Sequence, residues 1–543
     1  MTDADEQIKR LRSTRPDYAE EAAWHKFLLD AAHGTGGFKG KVGATATSLL
    51  GWAAEAYAQV NMLTRSLSPV TGRETYLDQF PREDKDKFEK RVDVAHYTNY
   101  VGPIHDLLLS YINKAEMNRD KLPDAVTDWM QDVDGKGTSW DTLQREVVRP
   151  RASLLGWCPV LFDLPATEID QGAPMSRARA KELGIAPRCI PLYPVNILDW
   201  IEDSDGDLVA VKIRTDHHVR ADLLGSKVTE ERYALWYPDR VERFTVTRSG
   251  HDQDAITYSD IVSHSHGRVP LKVFRAKPTP DDKVRGMSTI GNSAVAARRH
   301  FNLESEMDDH IRGQVFAVLG VPVEDTGTPL GELVGGNGNA FSVPMASRLG
   351  LHYVAPPASV AETLEKRMDV MVREIYRTEN VEHTKATGTT ATSGVARAYE
   401  FEQTNRRLSG ISANLARAEQ DALRLAGDMM QAASADELTV TSPTDFSIED
   451  LATEIEAVLS ALDLKLGATA ETELRRRLIS RMLPNLPQAV QDAIDAELEE
   501  LRAQHEQDAA LAREAAKAAL LEGDDDSGKT SEDEPEQPVD EAA

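Results

Sequence analysis

A polar break followed by a long amphipathic pattern, over residues 378–430, constrains the fold of this chain most strongly. The break at 384–394 reads TKATGTTATSG, and its Thr and Gly content predicts a loop. Beyond it, apolar residues recur at steps of three and four, which places them on one face of a long helix. These residues are Leu408, Ile411, Leu415, Ala418, Ala422, Leu425 and Met429. A loop held against a long rigid helix suits a part of a protein that contacts a moving partner.

The length and composition indicate a folded protein of several units. The 543 residues suffice for roughly three or four units of about 150 residues, and 41% of them are hydrophobic. No segment reaches the ~20 apolar residues that a membrane-spanning helix requires, since Gly156 and Pro159 interrupt the most apolar run, 152–162. The first residues lack the apolar core of a signal peptide, so we expect the chain to be made in the cytoplasm without a membrane partner.

Cysteine usage and charge restrict the chemistry further. Cys158 and Cys189 are too few and too far apart for a zinc knuckle or a disulfide framework, so both are predicted to be reduced core residues. The formal net charge of −28 disfavours tight, static binding of nucleic acid, because phosphate binding depends on Lys and Arg. From Glu522 onwards, ten acidic residues stand against Lys529, which predicts a disordered acidic tail.

The first half of the chain reads as helices followed by strands. Asp17, with Glu20 three residues later, predicts the capped start of a helix. A second helical block spans 85–112 with a break near Gly102-Pro103, and a third carries Trp140, Leu143, Val147 and Leu154. From about residue 156, β-type runs follow in quick succession: CPVLFDL, YPVNILDW, LVAVKIR, ERYALWYP, VERFTVTR and PLKVFRA. Turn signals such as Asp205-Gly206 and Ser249-Gly250, without long helices between the runs, predict antiparallel pairing.

From Asp281 the pattern predicts two long helices that flank a small insert. The first, of about 25 residues, is marked by apolar residues at helical spacing. They are Ile290, Ala294, Ala297, Phe301, Met307 and Ile311. The second begins at Ser359, with Glu362 as its capping-box partner. The insert contains AVLGVPV, the turn Asn337-Gly338, FSVPM and LHYVA, so we expect a two-helix stalk with a β-rich tip.

The end of the chain predicts a helical cap. ELTVTSP reads as a strand, and three shorter helices follow over 447–466, 471–483 and 487–505. An alanine-rich run at 509–521 precedes the acidic tail and extends the last helix.

This order of elements resembles the portal proteins of tailed double-stranded DNA bacteriophages. Four segments carry the resemblance. Two lie in the predicted stalk, ARRHFNLESEMDDHIRGQ and SVAETLEKRMDVMVREIYRT; one follows the stalk, ATGTTATSGVARAYEFEQTNRRL; and one lies among the predicted strands, YPVNILDW. It implies an α+β, mainly α, fold with a wing, a long-helix stem, a small α/β clip and a helical crown. The implied segments are the wing at 1–280, the first stem helix at 281–314, the clip at 315–357, the second stem helix at 358–378, the tunnel loop at 379–394, a long wing helix and strand at 395–446, the crown at 447–508, and the extension and tail at 509–543.

The resemblance also implies how the chain works. Portal subunits close a ring of about twelve around an axial channel at one capsid vertex, through which DNA is packaged and ejected. The implied partners are further copies of the chain, double-stranded DNA bound without sequence specificity, the terminase large subunit, head-completion or adaptor proteins, and the major capsid and scaffolding proteins. The chain is then made in the bacterial host cytoplasm and ends in the virion. No cofactor, metal or catalysis is implied, because a separate terminase hydrolyses the nucleotide.

Three groups of site residues follow from the resemblance. A tunnel loop facing DNA comprises Glu379, His383, Lys385, Thr387, Gly388, Thr389, Thr390 and Thr392. The clip docking surface comprises Asn337, Gly338 and Phe341, and a basic patch on the crown comprises Arg475, Arg476, Arg477 and Arg481. The patch has two open readings: a solvated face paired with acids such as Glu471 and Glu473, or a contact with DNA or a neighbouring subunit. An acidic channel wall would let the duplex slide, with Lys385 making transient contacts.

The main alternative is a nucleotide-binding enzyme. Residues 523–530 read GDDDSGKT, which matches the phosphate-loop pattern through Gly528, Lys529 and Thr530. A helical run rather than a strand precedes the motif, and its three aspartates would repel a nucleotide, so the portal hypothesis is favoured. A third reading is another structural or adaptor protein of the virion.

Two further motifs are predicted to be polar turns or loops rather than metal sites. The segment with Asp203, Asp205 and Asp207 has its glycine at the fourth position, which does not match a calcium-binding loop. A polar hairpin turn is therefore favoured. His264 and His266 have no third ligand at a suitable distance, which favours an exposed loop.

Overall fold

The chain folds into two compact units, Met1–Phe446 and Ser447–Ala543. A computed structural model describes residues 3–38, 75–114, 117–164, 185–219, 228–248, 254–264, 266–323, 340–345, 350–381, 394–443, 446, 460–461, 467–482 and 488–522. Helices and strands both contribute to the first unit, so its fold is α+β as the sequence predicts.

Helices dominate the start of the first unit. In chain order they are α1 Asp3–Arg12, α2 Tyr18–His33, α3 Lys85–Val94, α4 Val101–Lys114, α5 Asp124–Trp129, α6 Trp140–Leu143 and α7 Arg149–Leu155, with strand β1 Asn118–Asp120 before α5. A π-helical turn, Gln144–Val148, joins α6 to α7, so the helical run that the sequence predicts from Trp140 is confirmed.

The second helical block is broken near Gly102-Pro103, as the sequence predicts, and the break lies directly before these residues. Residues 95–100 separate α3 from α4, and Pro103 lies in the first turn of α4. Proline is tolerated there because the first helical N–H groups have no partner within the helix. The side chain of Asn99 accepts a hydrogen bond from the amide of Gly102 at 3.0 Å and so begins the helix.

Ten strands follow in quick succession within the described residues of 157–286. They are β2 Trp157–Asp163, β3 Arg188–Pro191, β4 Ile197–Glu202, β5 Leu208–Val219, β6 Val228–Trp236, β7 Arg240–Arg248, β8 Ala255–Ser263, β9 Leu271–Arg275, β10 Pro278–Thr279 and β11 Asp282–Gly286. Strands β4 to β8 form a five-stranded antiparallel meander, and β2 lies between β3 and β9 in a three-stranded antiparallel sheet. The predicted antiparallel pairing is confirmed.

Strand β2 is buried on both faces, which explains its continuous apolar sequence. Cys158 and Phe162 belong to the large core shared by the helices, whereas Trp157 and Leu161 pack in a second core against the meander. Cys158 and Cys189 are both buried and unpaired, as the sequence predicts. This strand therefore joins the helical layer to the sheet.

A stalk of two long helices and a small sheet follows. Its elements are α8 Gly291–Val315, β12 Val318–Val323, β13 Ala340–Pro344, β14 His352–Val354 and α9 Ala358–Thr378. His310, near the end of α8, lies 3.1 Å from the carbonyl of Pro357 before α9, whereas Ser293 near the start of α8 contacts Glu379 after α9. The two helices are therefore antiparallel.

The first stalk helix has the 25 residues that the sequence predicts, and a short turn separates its start from the change of pattern at Asp281. Residues after Asp281 form β11, which pairs with β10, and the side chain of Asp282 accepts hydrogen bonds from the amides of Val284 and Arg285 at 2.9 and 2.7 Å. These turn contacts compete with helix formation, so α8 begins only at Gly291.

Neither predicted capping box forms. Asp17 stands before α2 but makes no side-chain cap bond, because its carboxylate pairs with Arg285 and with Arg15. Helix α9 begins at Ala358, directly after Pro357, so Ser359 lies inside the helix rather than at its cap.

The long helix predicted after the polar break is confirmed. Helix α10, Gly394–Met429, has 36 residues, and the predicted stripe faces the large core: Leu408, Ile411, Leu415, Ala422 and Leu425 are buried, and Ala418 and Met429 are partly buried against them. Strand β15, Thr439–Thr441, pairs with β1 and ties the end of this segment to the first helices.

The second unit contains α11 Ala468–Met482 and α12 Gln488–Glu522. Helix α12 continues through the alanine-rich run, as the sequence predicts. The predicted helix at 447–466 lies outside the described residues except for 460–461, and so does the acidic tail after Glu522.

Candidate functional site

The tip of the stalk, formed by β12, β13, β14 and the adjoining ends of α8 and α9, is a small mixed sheet. Strand β12 lies in the middle, parallel to β13 and antiparallel to β14. Antiparallel strands can be joined by a tight turn, whereas parallel strands need a longer connection, and residues 324–339 separate β12 from β13 in the sequence. Asn337 and Gly338 themselves lie outside the described residues, and Phe341 pairs with Gly320 through the backbone of β13.

Large apolar side chains are exposed at this tip. They are Val315, Phe316, Met345, Leu351, Tyr353 and Val354, with exposures from 48% to 69%. Exposed apolar residues that cluster in one region, rather than lying singly, mark a surface that another molecule covers. The tip is therefore a candidate docking surface.

The shaft of the stalk is exposed as well. Ile375 is the one residue of α9 that is fully buried, and Val295, Ile311 and Val360 are each more than 40% exposed. Helix α9 carries four acidic and four basic side chains, so its charge is balanced although the whole chain is strongly acidic. A balanced, half-apolar helix pair suits contact with protein neighbours better than a solvated surface.

Most of the predicted tunnel loop lies outside the described residues. These positions are His383, Lys385, Thr387, Gly388, Thr389, Thr390 and Thr392. Glu379 is described, and the expectation that it faces an open channel was wrong. Its side chain is 1% exposed, because it accepts a hydrogen bond from the hydroxyl of Ser293 and forms an ion pair with Arg407.

The basic patch on α11 is partly neutralised. Arg476 contacts Asp495 at 2.9 Å, Glu473 at 3.0 Å and Glu499 at 3.7 Å. The hydrogen bond that Arg476 donates to the carboxylate of Asp495 raises the pKa of Arg476, and burial acts against it. This part of the patch therefore agrees with a face paired with acids. Arg475 is half-buried on the same helix, and the side chains of Arg477 and Arg481 lie outside the described residues.

A cleft of about 850 Å³ in the first unit has no counterpart in the sequence analysis. Parts of α2, the β10–β11 turn, the start of α8, the end of α9 and the middle of α10 line it. Its wall contains the half-exposed indole of Trp24. It also contains two arginines in ion pairs: Arg285 pairs with Asp17 and Asp282, and Arg407 pairs with Glu379. Arg285 and Arg407 are therefore already paired with carboxylates. No local motif signals it, since its residues come from distant segments.

Buried histidines lie beside this cleft and in the adjoining helical core. Burial, assisted by the charge of Arg15, lowers the pKa of His25 to about 3. Burial likewise lowers the pKa of His105 to about 4, and the neighbouring His33 contributes in the same direction. Both rings are therefore neutral at pH 7 and serve as packing residues.

The two other motifs singled out in the sequence are structural. Asp203 accepts hydrogen bonds from the amides of Asp205 and Asp207 at 2.9 and 2.8 Å, which confirms the hairpin turn between β4 and β5. The rings of His264 and His266 stack with centroids 4.6 Å apart, and both residues are half-buried rather than on an exposed loop. Across the described part of the chain, no group of three His, Cys, Asp or Glu side chains could hold a metal ion.

No family model matches the chain, and no curated protein matches it. None of the helices in the described ranges is long and apolar enough to cross a membrane. The phosphate-loop pattern at 523–530 lies outside the described residues.

Proposed function

We propose that this chain is the portal subunit of a tailed double-stranded DNA bacteriophage, closing a ring of about twelve copies around a channel for DNA. The observation that carries the proposal is the stalk: two antiparallel helices of 25 and 21 residues, joined at one end by a small sheet and followed at the other by a 36-residue helix. This is the order of stem, clip, stem and long wing helix that the family has.

The exposed surface of the stalk supports assembly. At 1.5 Å per residue, α8 and α9 extend over roughly 37 and 31 Å. The first half of α8 packs into the large core, but no residue of α8 after Ser305 is buried. Exposed Ile311 and Val360 on this outer part of the helix pair are unusual for a protein that works as a monomer. Side-by-side packing of stalks in a ring covers these residues on both sides.

The charge supports a conduit rather than a tight DNA-binding protein. The net charge of −28 repels phosphate, whereas the balanced charge of α9 leaves the stem without a strong field of either sign. A duplex can slide through such a channel because few contacts have to break at each step.

The tip of the stalk is the proposed clip. Its exposed Leu351 and Tyr353 would dock first to the terminase large subunit and later to a head-completion or adaptor protein. Aromatic and aliphatic anchors of this kind dominate the energetics of protein interfaces. In this proposal the wing and crown face the capsid interior and contact scaffolding and capsid proteins, and the mature chain resides at one vertex of the virion.

Deletion of 387–392 tests the proposal. We expect the deletion to leave rings intact and to reduce packaging or genome retention, because the tunnel loop lines the narrowest part of the channel. A matched variant that changes Thr387, Thr389, Thr390 and Thr392 to serine keeps the length and polarity of the loop and should behave as wild type. Normal, genome-filled particles from the deletion would refute the assignment of the loop.

Truncation after residue 521 separates the portal from the nucleotide-binding alternative. A portal still forms rings without the tail, whereas an enzyme that uses Lys529 and Thr530 loses nucleotide binding. Equilibrium binding of ATP to the full chain, lost on truncation, would favour the enzyme.

A further inference from the structure

Glu379 joins three helices at one buried point. Its carboxylate accepts a hydrogen bond from the hydroxyl of Ser293 in the first turn of α8 and forms an ion pair with Arg407 on α10. Arg407 also donates to the backbone carbonyls of Thr289 and Thr378. We call the set Ser293, Glu379 and Arg407 the latch. A planar guanidinium with several donors can satisfy such acceptors together, which a lysine cannot.

The backbone that leaves α9 is held at the same place. The amide of Asn380 donates to the carbonyl of Arg377 at 3.0 Å, and the amide of Val381 donates to the carbonyl of Tyr376 at 3.1 Å. Asn380 has a φ of +55°, so the helix ends in the left-handed cap that Asn tolerates. Val381 is fully buried, and the hydroxyl of Thr404 on α10 donates to the carbonyl of Asn380. The direction in which the chain leaves the stalk is therefore set by side chains of α10.

The latch is also connected to the wing. Thr289, whose carbonyl accepts from Arg407, donates its amide to the carbonyl of Ser153 on α7 at 2.9 Å, and the two hydroxyls lie 2.7 Å apart. Thr289, Glu379 and Arg407 are among the residues that surround the 850 Å³ cleft. These hydrogen bonds therefore connect the latch to α7 through Thr289.

A buried ion pair is a poor device for stability alone, because its desolvation cost offsets the attraction and an apolar pair of similar volume often serves as well. It does fix one geometry, since its hydrogen bonds are directional. We propose that Glu379 and Arg407 are positioning residues that set where the segment after α9 enters the DNA channel. The inference rests on the proposed function and gives the root of the tunnel loop a defined mechanical link to the wing.

Hydrogen exchange tests the geometric part on the protein itself. In E379Q and R407K, the amides of Asn380 and Val381 should exchange at least ~10-fold faster than in wild type, the factor expected from losing a hydrogen bond to a charged group. E374Q and R377K are matched controls. Glu374 and Arg377 form an exposed ion pair at the end of α9, with 2.7 Å between the guanidinium and the carboxylate. Unchanged exchange in E379Q and R407K, or equal acceleration in the controls, would overturn the proposal.

Genome retention in particles tests the functional part. We expect E379Q and R407K to form rings of wild-type size and to retain DNA in several-fold fewer particles, with E374Q as wild type. The double variant E379M/R407M removes both charges, so its thermal midpoint should recover toward wild type while retention stays low.

If E379M/R407M recovered both its thermal midpoint and its DNA retention, the Glu379–Arg407 pair would only stabilise the fold. That result would overturn the positioning role. Normal retention in E379Q and R407K would overturn it as well. Failure of the proposed function is distinguishable, because in that case the wild-type chain itself forms no ring.

Discussion

Acidification should destabilise the first unit through its buried neutral histidines. An unfolded histidine titrates near pH 6.5, whereas burial lowers the pKa of His25 to about 3 and that of His105 to about 4. Between these values the unfolded chain binds protons that the folded chain excludes. The stability contribution is therefore fully present above pH 6.5 and is lost as the pH falls toward the folded pKa values.

The magnitude follows from the same pKa values. Each unit of pH within this window lowers the unfolding free energy by about 1.4 kcal/mol per histidine. Each of the two histidines therefore lowers the unfolding free energy by about 2 kcal/mol between pH 7 and pH 5. His25 and His105 together account for a loss of about 4 kcal/mol. Glu304, whose pKa burial raises, acts in the opposite sense, and comparison with a variant that keeps Glu304 cancels its contribution.

Urea unfolding at pH 7 and pH 5 measures the effect on wild type and on H25Q/H105Q. The variant is less stable at pH 7, because glutamine fills the two sites imperfectly, but its loss between pH 7 and pH 5 should be smaller by about 4 kcal/mol. An equal loss in wild type and H25Q/H105Q would refute the assignment of these histidines as neutral packing residues.

Three further outcomes are expected. E419Q should lower the unfolding free energy by about 3 kcal/mol, because the buried Glu419 accepts hydrogen bonds from Arg119 at 2.7 Å and from Trp140 at 3.1 Å. Urea titration measures this loss. E402Q, which removes a charge from an exposed ion pair on the same helix, is the control and should lower the unfolding free energy by less than ~0.5 kcal/mol. F301A should cost about 3 to 5 kcal/mol, since Phe301 is 1% exposed and packs on Phe38 and Tyr97; no measurable change would contradict this packing. L351R/Y353R should leave stability and ring formation unchanged and abolish terminase binding in a pull-down, with wild-type binding counting against the clip assignment.

Local patterns predicted the elements of this fold well where the residues that decide them are close in sequence. The stripe from Leu408 to Met429 shows helical spacing, and α10 has it. The turn at Asp205-Gly206 depends on two adjacent residues and a nearby aspartate, and it is present. Strand β8 was missed because its residues do not alternate cleanly between buried and exposed positions at the edge of the meander.

Features decided by distant residues were missed. Glu379 reads as a polar loop residue until Arg407, on the next helix, and Ser293, on an earlier one, are seen beside it. The capping role predicted for Asp17 failed for the same reason, because Arg285 attracts its carboxylate. The parallel pairing of β12 and β13 depends on the path of a long connection, which no short motif specifies.

Native mass spectrometry of the purified chain, combined with negative-stain images, measures whether the chain forms a portal ring. We expect closed rings of about twelve subunits with a central hole, because stalks with exposed apolar sides should pack against identical neighbours until the rotation closes. A stable monomer without a channel, at concentrations where the chain is fully folded, would contradict it.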